Sequence, residues 1–121
     1  MKSKMNKIYH LSTCSTCQRI IGEVGDVSGF ELIDIKEQSI AAADLDMAAE
    51  QLGSYESVFS KRAMKYRSMG LNEMDLTEDD YRRYILEEYT FLKRPLFIID
   101  GRACAGNSKK LVASIKEALS A

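Results

Sequence analysis

Proline, histidine and cysteine are scarce in this sequence: one, one and three among 121 residues. Three cysteines cannot form an even set of disulfide staples. Two of them stand as Cys14-x-x-Cys17, a pattern that belongs to redox or metal chemistry in a reducing compartment rather than to a secreted framework. A structural zinc needs four ligands, and the soft donors here are only Cys14, Cys17, Cys104 and His10. No metal site is therefore expected, and the redox reading is preferred. Charge of one sign is also lacking: 17 basic against 18 acidic residues leave a net charge of −1. That excludes the electrostatic footprint of a protein that grips bare duplex DNA, but not a protein partner. No apolar run is long enough for a membrane span, and the basic start Met1–Lys7 leads into a strand, not a signal peptide's apolar core. The expectation is a cytoplasmic protein with no direct nucleic-acid or membrane contact. Repeats, low-complexity tracts and linkers are absent too. With 45% hydrophobic residues, the chain fits a single domain, 1–121, with its own core.

What is present is ordered. Lys7–Leu11 reads as a strand, and Ser12 or Thr13 can cap the helix that follows. In that helix Cys17, Ile20, Ile21 and Val24 form one inward stripe, with Gly25 and Gly29 near its exit. Phe30–Ile35 is a second strand; its apolar residues fall on both faces, which suggests an inner, mostly parallel strand. Strand, helix and strand make a βαβ unit. A helical insert over about 38–92 follows: a helix at Ala41–Leu52, a second helical piece at Val58–Met69, and a third helix introduced by Thr77-Glu78-Asp79-Asp80, which resembles a capping box. Then Leu96–Ile99 and Arg102–Ala105 form a hairpin about Asp100-Gly101. A last helix, capped by Asn107 or Ser108, turns Leu111, Val112, Ile115 and Leu119 inward. The order β-α-β, helical insert, β-β-α describes an α/β fold with a mixed four-stranded sheet.

The stripe separates the two thiols. Cys14 precedes it, at the exposed tip of the helix, while Cys17 belongs to it and is expected to be partly buried. A thiol at a helix N-terminus meets unpaired N–H groups and the positive end of the helix dipole, which favour the reactive thiolate. A second thiol one turn on can attack whatever bonds to the first.

Other residues carry two readings each. Pro95 can simply open the third strand, where no ladder donor is lost, or form a cis Arg94–Pro95 bond facing the C-x-x-C, with backbone edge groups offered to a substrate or mixed disulfide. Arg94 is either a solvated charge at a strand entry or a guanidinium that lowers the thiol pKa. His10, at the end of the first strand, can tune Cys14 or bind an anion, though a structural hydrogen-bonding role is preferred. Cys104 is read as a small buried hydrophobe. Lys61, Arg62, Lys65 and Arg67 are a solvated helix face or a docking surface for an acidic protein. Tyr81, Tyr84 and Tyr89 are read as packing for the insert.

Three segments, Ile8–Arg19, Val58–Leu71 and Leu92–Gly101, resemble the arsenate reductase-like (ArsC/Spx) family of the thioredoxin superfamily, and the likeness runs over nearly the whole chain. The resemblance implies a thioredoxin-like fold with no bound cofactor. It implies Cys14 as nucleophile and Arg94 as an anion-binding arginine, with Arg19, Arg62 or Arg67 as substitutes for the arginines that are missing, beside the roles read above for Pro95 at the substrate and His10 as an anion contact. A small oxyanion or a disulfide is the implied substrate, with glutathione, glutaredoxin or thioredoxin as external reductant. The family's other branch, Spx-like regulators, has a C-x-x-C switch and binds RNA polymerase. This chain departs from the arsenate reductases at Ser60 and Ala105, where arginines are expected, and at Gln18, where a basic residue is expected. Cys17 is the more Spx-like feature. An arsenate reductase-like thiol oxidoreductase is the primary expectation, and a redox-switched regulator the alternative.

Overall fold

The structure, a computed structural model, describes residues 6–25, 27–106 and 109–120. The expected caps Asn107 and Ser108 and the side chains of Lys109 and Leu119 lie outside the described residues. The chain forms two compact units: one built from the segments up to Gln38 and from Arg94 onward, the other from Ser39–Lys93.

The first unit is a four-stranded mixed sheet. Its strands are β1 (Asn6–His10), β2 (Phe30–Asp34), β3 (Leu96–Ile99) and β4 (Arg102–Ala105), in the order β2-β1-β3-β4. β2 lies parallel to β1, with His10 opposite Asp34. β3 lies antiparallel to both β1 and β4. Every residue of β3 is buried, as a central strand requires. At the β3–β4 turn Asp100 and Gly101 both take positive φ, 49° and 82°. That pair of left-handed residues gives the type I′ turn that matches strand twist, which is why Asp-Gly sits there.

Two helices of this unit, α1 (Ser15–Val24) and α5 (Lys109–Ser120), pack with the sheet through a core of Ile8, Ile20, Val24, Phe97, Ile99, Leu111, Val112 and Ile115. The edge of the Phe30 ring meets Phe97 at 6.1 Å between centroids. α1 ends where Gly25, at φ 100°, supplies a conformation that side-chain-bearing residues avoid.

One expectation is corrected here. Phe30–Ile35 was expected inside the sheet, but β2 is an edge strand, and Leu32 is 51% exposed. The chain returns from Ser39–Lys93 to place β3, not β2, at the centre, so apolar residues on both faces of β2 did not signify burial on both.

The second unit is helical: α2 (Ala42–Leu52), α3 (Met64–Ser68) and α4 (Glu78–Glu87), with single 3₁₀ turns at Glu56–Val58, Leu71–Glu73 and Tyr89–Phe91. Thr77 and Asp80 form a reciprocal capping box at the start of α4. The expected helix over Val58–Met69 is not continuous. Phe59 is extended and bridges Leu92, while the Ser60 N–H donates to the Phe91 carbonyl at 2.7 Å. The Phe59 ring stacks on Phe91 and meets the edges of Tyr81 and Tyr66. That aromatic cluster overrides local helix propensity. On the surface of this unit Asp46 accepts from Tyr55 Oη and from Arg82, which grips it with two nitrogens.

Candidate active site

β1 ends at His10, and its last rung is the Ile35 N–H donating to the His10 carbonyl at 2.8 Å. The chain then turns: the Cys14 N–H donates to the Leu11 carbonyl at 3.0 Å. Cys14 is itself the N-cap of α1, at φ −91° and ψ 111°. This corrects the expectation that Ser12 or Thr13 would cap. The consequence is chemical, because the Cys14 sulfur stands where a capping oxygen usually stands, facing the free N–H groups of the first turn. Its side chain makes no capping hydrogen bond. The Cys17 N–H is nonetheless close enough to favour the thiolate.

The two thiols differ sharply. Burial pushes Cys14 up, but the Cys17 N–H, the Cys17 S–H and the Arg94 guanidinium together outweigh it and hold Cys14 below the ordinary thiol value. Cys17 is fully buried, more than expected, beside Ile20 and Val24 on the inward stripe of α1. Burial and the neighbouring Cys14 push it up to about 12, against the opposing Leu11 backbone contact and Arg94. Of the pair, Cys14 is the more readily ionised and Cys17 stays a thiol at neutral pH. Both cysteines are unpaired with each other in this state.

Arg94 reaches the site because β3 is antiparallel to β1. Leu96 lies opposite Tyr9, so the residues just before β3 emerge beyond the end of β1, where the thiol loop begins. The Arg94–Pro95 peptide bond is cis, and the Pro95 carbonyl accepts from the Gly106 N–H at 3.3 Å. Arg94 acts on Cys14 by charge and by hydrogen bond.

The remaining expected site residues are placed differently. His10 is half-buried at the end of β1; its Nδ1 is buried without a hydrogen-bond partner, and its charge bears on Asp34. Arg19 does not join the thiols: it projects from the outer face of α1 and pairs with Glu23 at 2.6 Å. Gln18 uses its side chain to hold the loop, donating from Nε2 to the Leu11 carbonyl at 3.3 Å. Cys104, on β4, is half-buried against the core, and burial pushes it up. Lys61 and Lys65, in the second unit, are paired with Glu56 and Glu88.

One residue with no assigned role in the sequence reading, Asp34, appears beside the loop. Asp34 accepts from the Ser12 hydroxyl and from the Lys36 N–H. The signal for this was indirect: a parallel β1–β2 pair puts the end of β2 level with the end of β1, so a carboxylate there faces the thiol loop. Among the described residues, no group of three or more His, Cys, Asp or Glu side chains is arranged to hold a metal ion. No helix there is long and apolar enough to cross a membrane.

Comparison with known proteins gives the family and the fold. The ArsC family model matches residues 9–115. A possible arsenate reductase from Streptococcus mutans superimposes with a TM-score of 0.73 at 26% identity, over 89% of this chain and 93% of that one. An arsenate reductase from Vibrio cholerae does so with a TM-score of 0.73 at 22% identity, over 94% and 99%. Comparison with curated proteins finds no match.

Proposed function

The chain belongs to the ArsC family, and from that premise we propose that it is an arsenate reductase-like thiol–disulfide oxidoreductase with Cys14 as nucleophile and Cys17 as resolving thiol. The observation that carries this reading is the split between the two sulfurs: Cys14 biased toward the thiolate by the Cys17 N–H and Arg94, and Cys17 kept protonated by burial. With a disulfide substrate, the Cys14 thiolate attacks one sulfur, the substrate S–S bond breaks, and a thiolate leaves. Cys17 gives its proton to that departing thiolate and attacks the Cys14 sulfur. The second half of the substrate leaves as a thiolate, which takes a proton from solvent according to its own acidity, and a Cys14–Cys17 disulfide remains. Two electrons have passed from the protein dithiol to the substrate. An arsenate-type oxyanion would draw on the same two electrons, with Arg94 against its oxygens. Glutathione, glutaredoxin or thioredoxin would return the dithiol, in the cytoplasm.

The test is turnover. Cys14→Ser is expected to abolish reduction of arsenate and of small disulfides, and Cys17→Ser to accumulate a mixed disulfide on Cys14. A wild-type protein that reduces neither class defeats the proposal. A second reading, an Spx-like redox switch that binds RNA polymerase, is favoured by the resolving position of Cys17 and by Ser60 and Ala105 standing where arginines were expected. Capture of polymerase subunits that depends on the oxidation state of the dithiol would select it.

A further inference from the structure

The loop between β1 and α1 is tied from two directions. On the helix side, Gln18 holds the Leu11 carbonyl through Nε2, and its N–H donates to the Cys14 carbonyl at 3.2 Å. On the sheet side the tie is Asp34. This residue ends the edge strand β2, opposite His10, and is fixed before it meets the loop. Its carbonyl accepts from the N–H groups of Glu37 and Gln38, both at 3.0 Å, and its Oδ1 accepts from the Lys36 N–H at 3.1 Å. That is a side-chain turn of the kind aspartate forms with the backbone two residues on. The carboxylate still has acceptor capacity beyond the one bond to Lys36. Ser12 supplies two donors to it, hydroxyl and backbone N–H, and His10 supplies charge.

Ser12 is exposed and precedes Cys14 by two positions in the loop. Leu11 before it is buried and held through its carbonyl by the Cys14 N–H and Gln18; for Ser12 itself, the tie to the edge strand is Asp34. The position of the Cys14 sulfur relative to Arg94 and the Cys17 N–H depends on that segment, since each contact is short-ranged.

We propose that Asp34 is a positioning residue for Cys14: pre-set by its own turn, its carboxylate holds Ser12 and thereby aims the thiol loop so that the Cys14 sulfur meets the Cys17 N–H and Arg94. The proposal rests on Cys14 being the reactive thiol, but its test does not require turnover of any substrate. The rate of Cys14 alkylation by iodoacetamide is followed against pH in the full chain, with the modified cysteine located by peptide mass mapping. In Ser12→Ala and Asp34→Ala the Cys14 inflection is expected to move to higher pH and its rate at neutral pH to fall about fivefold, the scale of one ordinary hydrogen bond felt through the loop. The double variant is expected to lose no more than either single one, because both remove the same contact. Asp34→Asn, which keeps an oxygen acceptor, is expected to recover part of the rate.

Coincidence of the Cys14 profiles of Ser12→Ala and wild type overturns the proposal. Losses that add in the double variant overturn it as well. So does a lowered urea midpoint with an unmoved Cys14 inflection, the outcome of a merely structural bond. Should Asp34→Ala fail to fold, Ser12→Ala alone decides, since an exposed serine is tolerant of truncation. Absence of turnover with intact profiles would count against the proposed function and leave this inference standing.

Discussion

Arg94 and Cys14 meet although they come from opposite ends of the chain: the guanidinium bears on the sulfur by charge and by hydrogen bond. The pairing follows from strand direction. Because β3 starts opposite Tyr9 and runs back along β1, whatever precedes Leu96 must emerge at the end of β1 from which the thiol loop departs. Pro95 ends the incoming connection there and leaves Arg94 half-buried beside the loop.

Arg94→Ala should therefore raise the Cys14 pKa, since a cation that favours the thiolate is removed while burial still opposes it. A charge partner at close range shifts a pKa by about one unit or more, so alkylation at neutral pH should slow about tenfold. Arg94→Lys keeps the charge but not the fork of donors, and should fall between. An Arg94→Ala profile that coincides with wild type would show that the Cys17 N–H alone sets Cys14 reactivity.

Cys17 gives the opposite pH dependence in stability. Its folded pKa, about 12, lies above the ordinary thiol value of 9.0. A raised acid contributes stability that is complete below the unfolded pKa and is lost as pH rises toward the folded one. Cys14, lowered, has the reverse sign: its contribution is present above the unfolded value and disappears as pH falls through the folded one. The reduced protein should lose urea resistance as pH rises from 9.0 to about 12, and Cys17→Ala should shrink that loss. Cys104, Tyr81 and Tyr55, also raised, leave a residual slope. An equal alkaline loss in Cys17→Ala would place the titration elsewhere.

The elements were legible where local chemistry decides them. The stripe Cys17-Ile20-Ile21-Val24, of which Ile21 is only partly buried, the Asp100-Gly101 turn and the Thr77–Asp80 box each depend on neighbours within a few positions, and each stands in the structure. Phe59 was misread because its extended conformation is set by Phe91 and Leu92, far along the chain. The edge position of β2 escaped for a similar reason: only the return of the chain after Ser39–Lys93 decides which strand is central. In the site, the thiols and Arg94 were visible as residue types in recognisable settings. Asp34 was not, because its role needs the register that places it opposite His10.

Phe59 is the test of the second unit. Its ring is 2% exposed and touches Phe91, Tyr81 and Tyr66. Phe59→Ala removes the ring from among three aromatic partners and leaves a cavity that the backbone bridge to Leu92 hinders from closing. Burial and cavity terms together put the cost at about 3–5 kcal/mol, with far-UV helix content lost at lower urea. Phe59→Leu should cost about half that, filling most of the volume without the stacking. A Phe59→Ala chain as resistant to urea as wild type would mean that the cluster does not hold this unit.

Arg19 and Gln18 are adjacent in sequence and opposite in consequence. Successive helix residues point about 100° apart, so only one of the two can face the loop. Gln18 does, through its bond to the Leu11 carbonyl. Arg19 instead pairs with Glu23 one turn on, with about half of each side chain exposed. An exposed i,i+4 pair contributes about 0.5 kcal/mol or less, and an outward guanidinium has no path to the thiol. Arg19→Ala should thus leave the Cys14 alkylation profile unmoved and the urea midpoint nearly so. Gln18→Ala, which frees the Leu11 carbonyl, should slow Cys14 about twofold to fivefold by loosening the loop. If Arg19→Ala slowed Cys14 and Gln18→Ala did not, the helix would have to present its other face to the substrate, and an anion site built on Arg19 would replace the loop clamp.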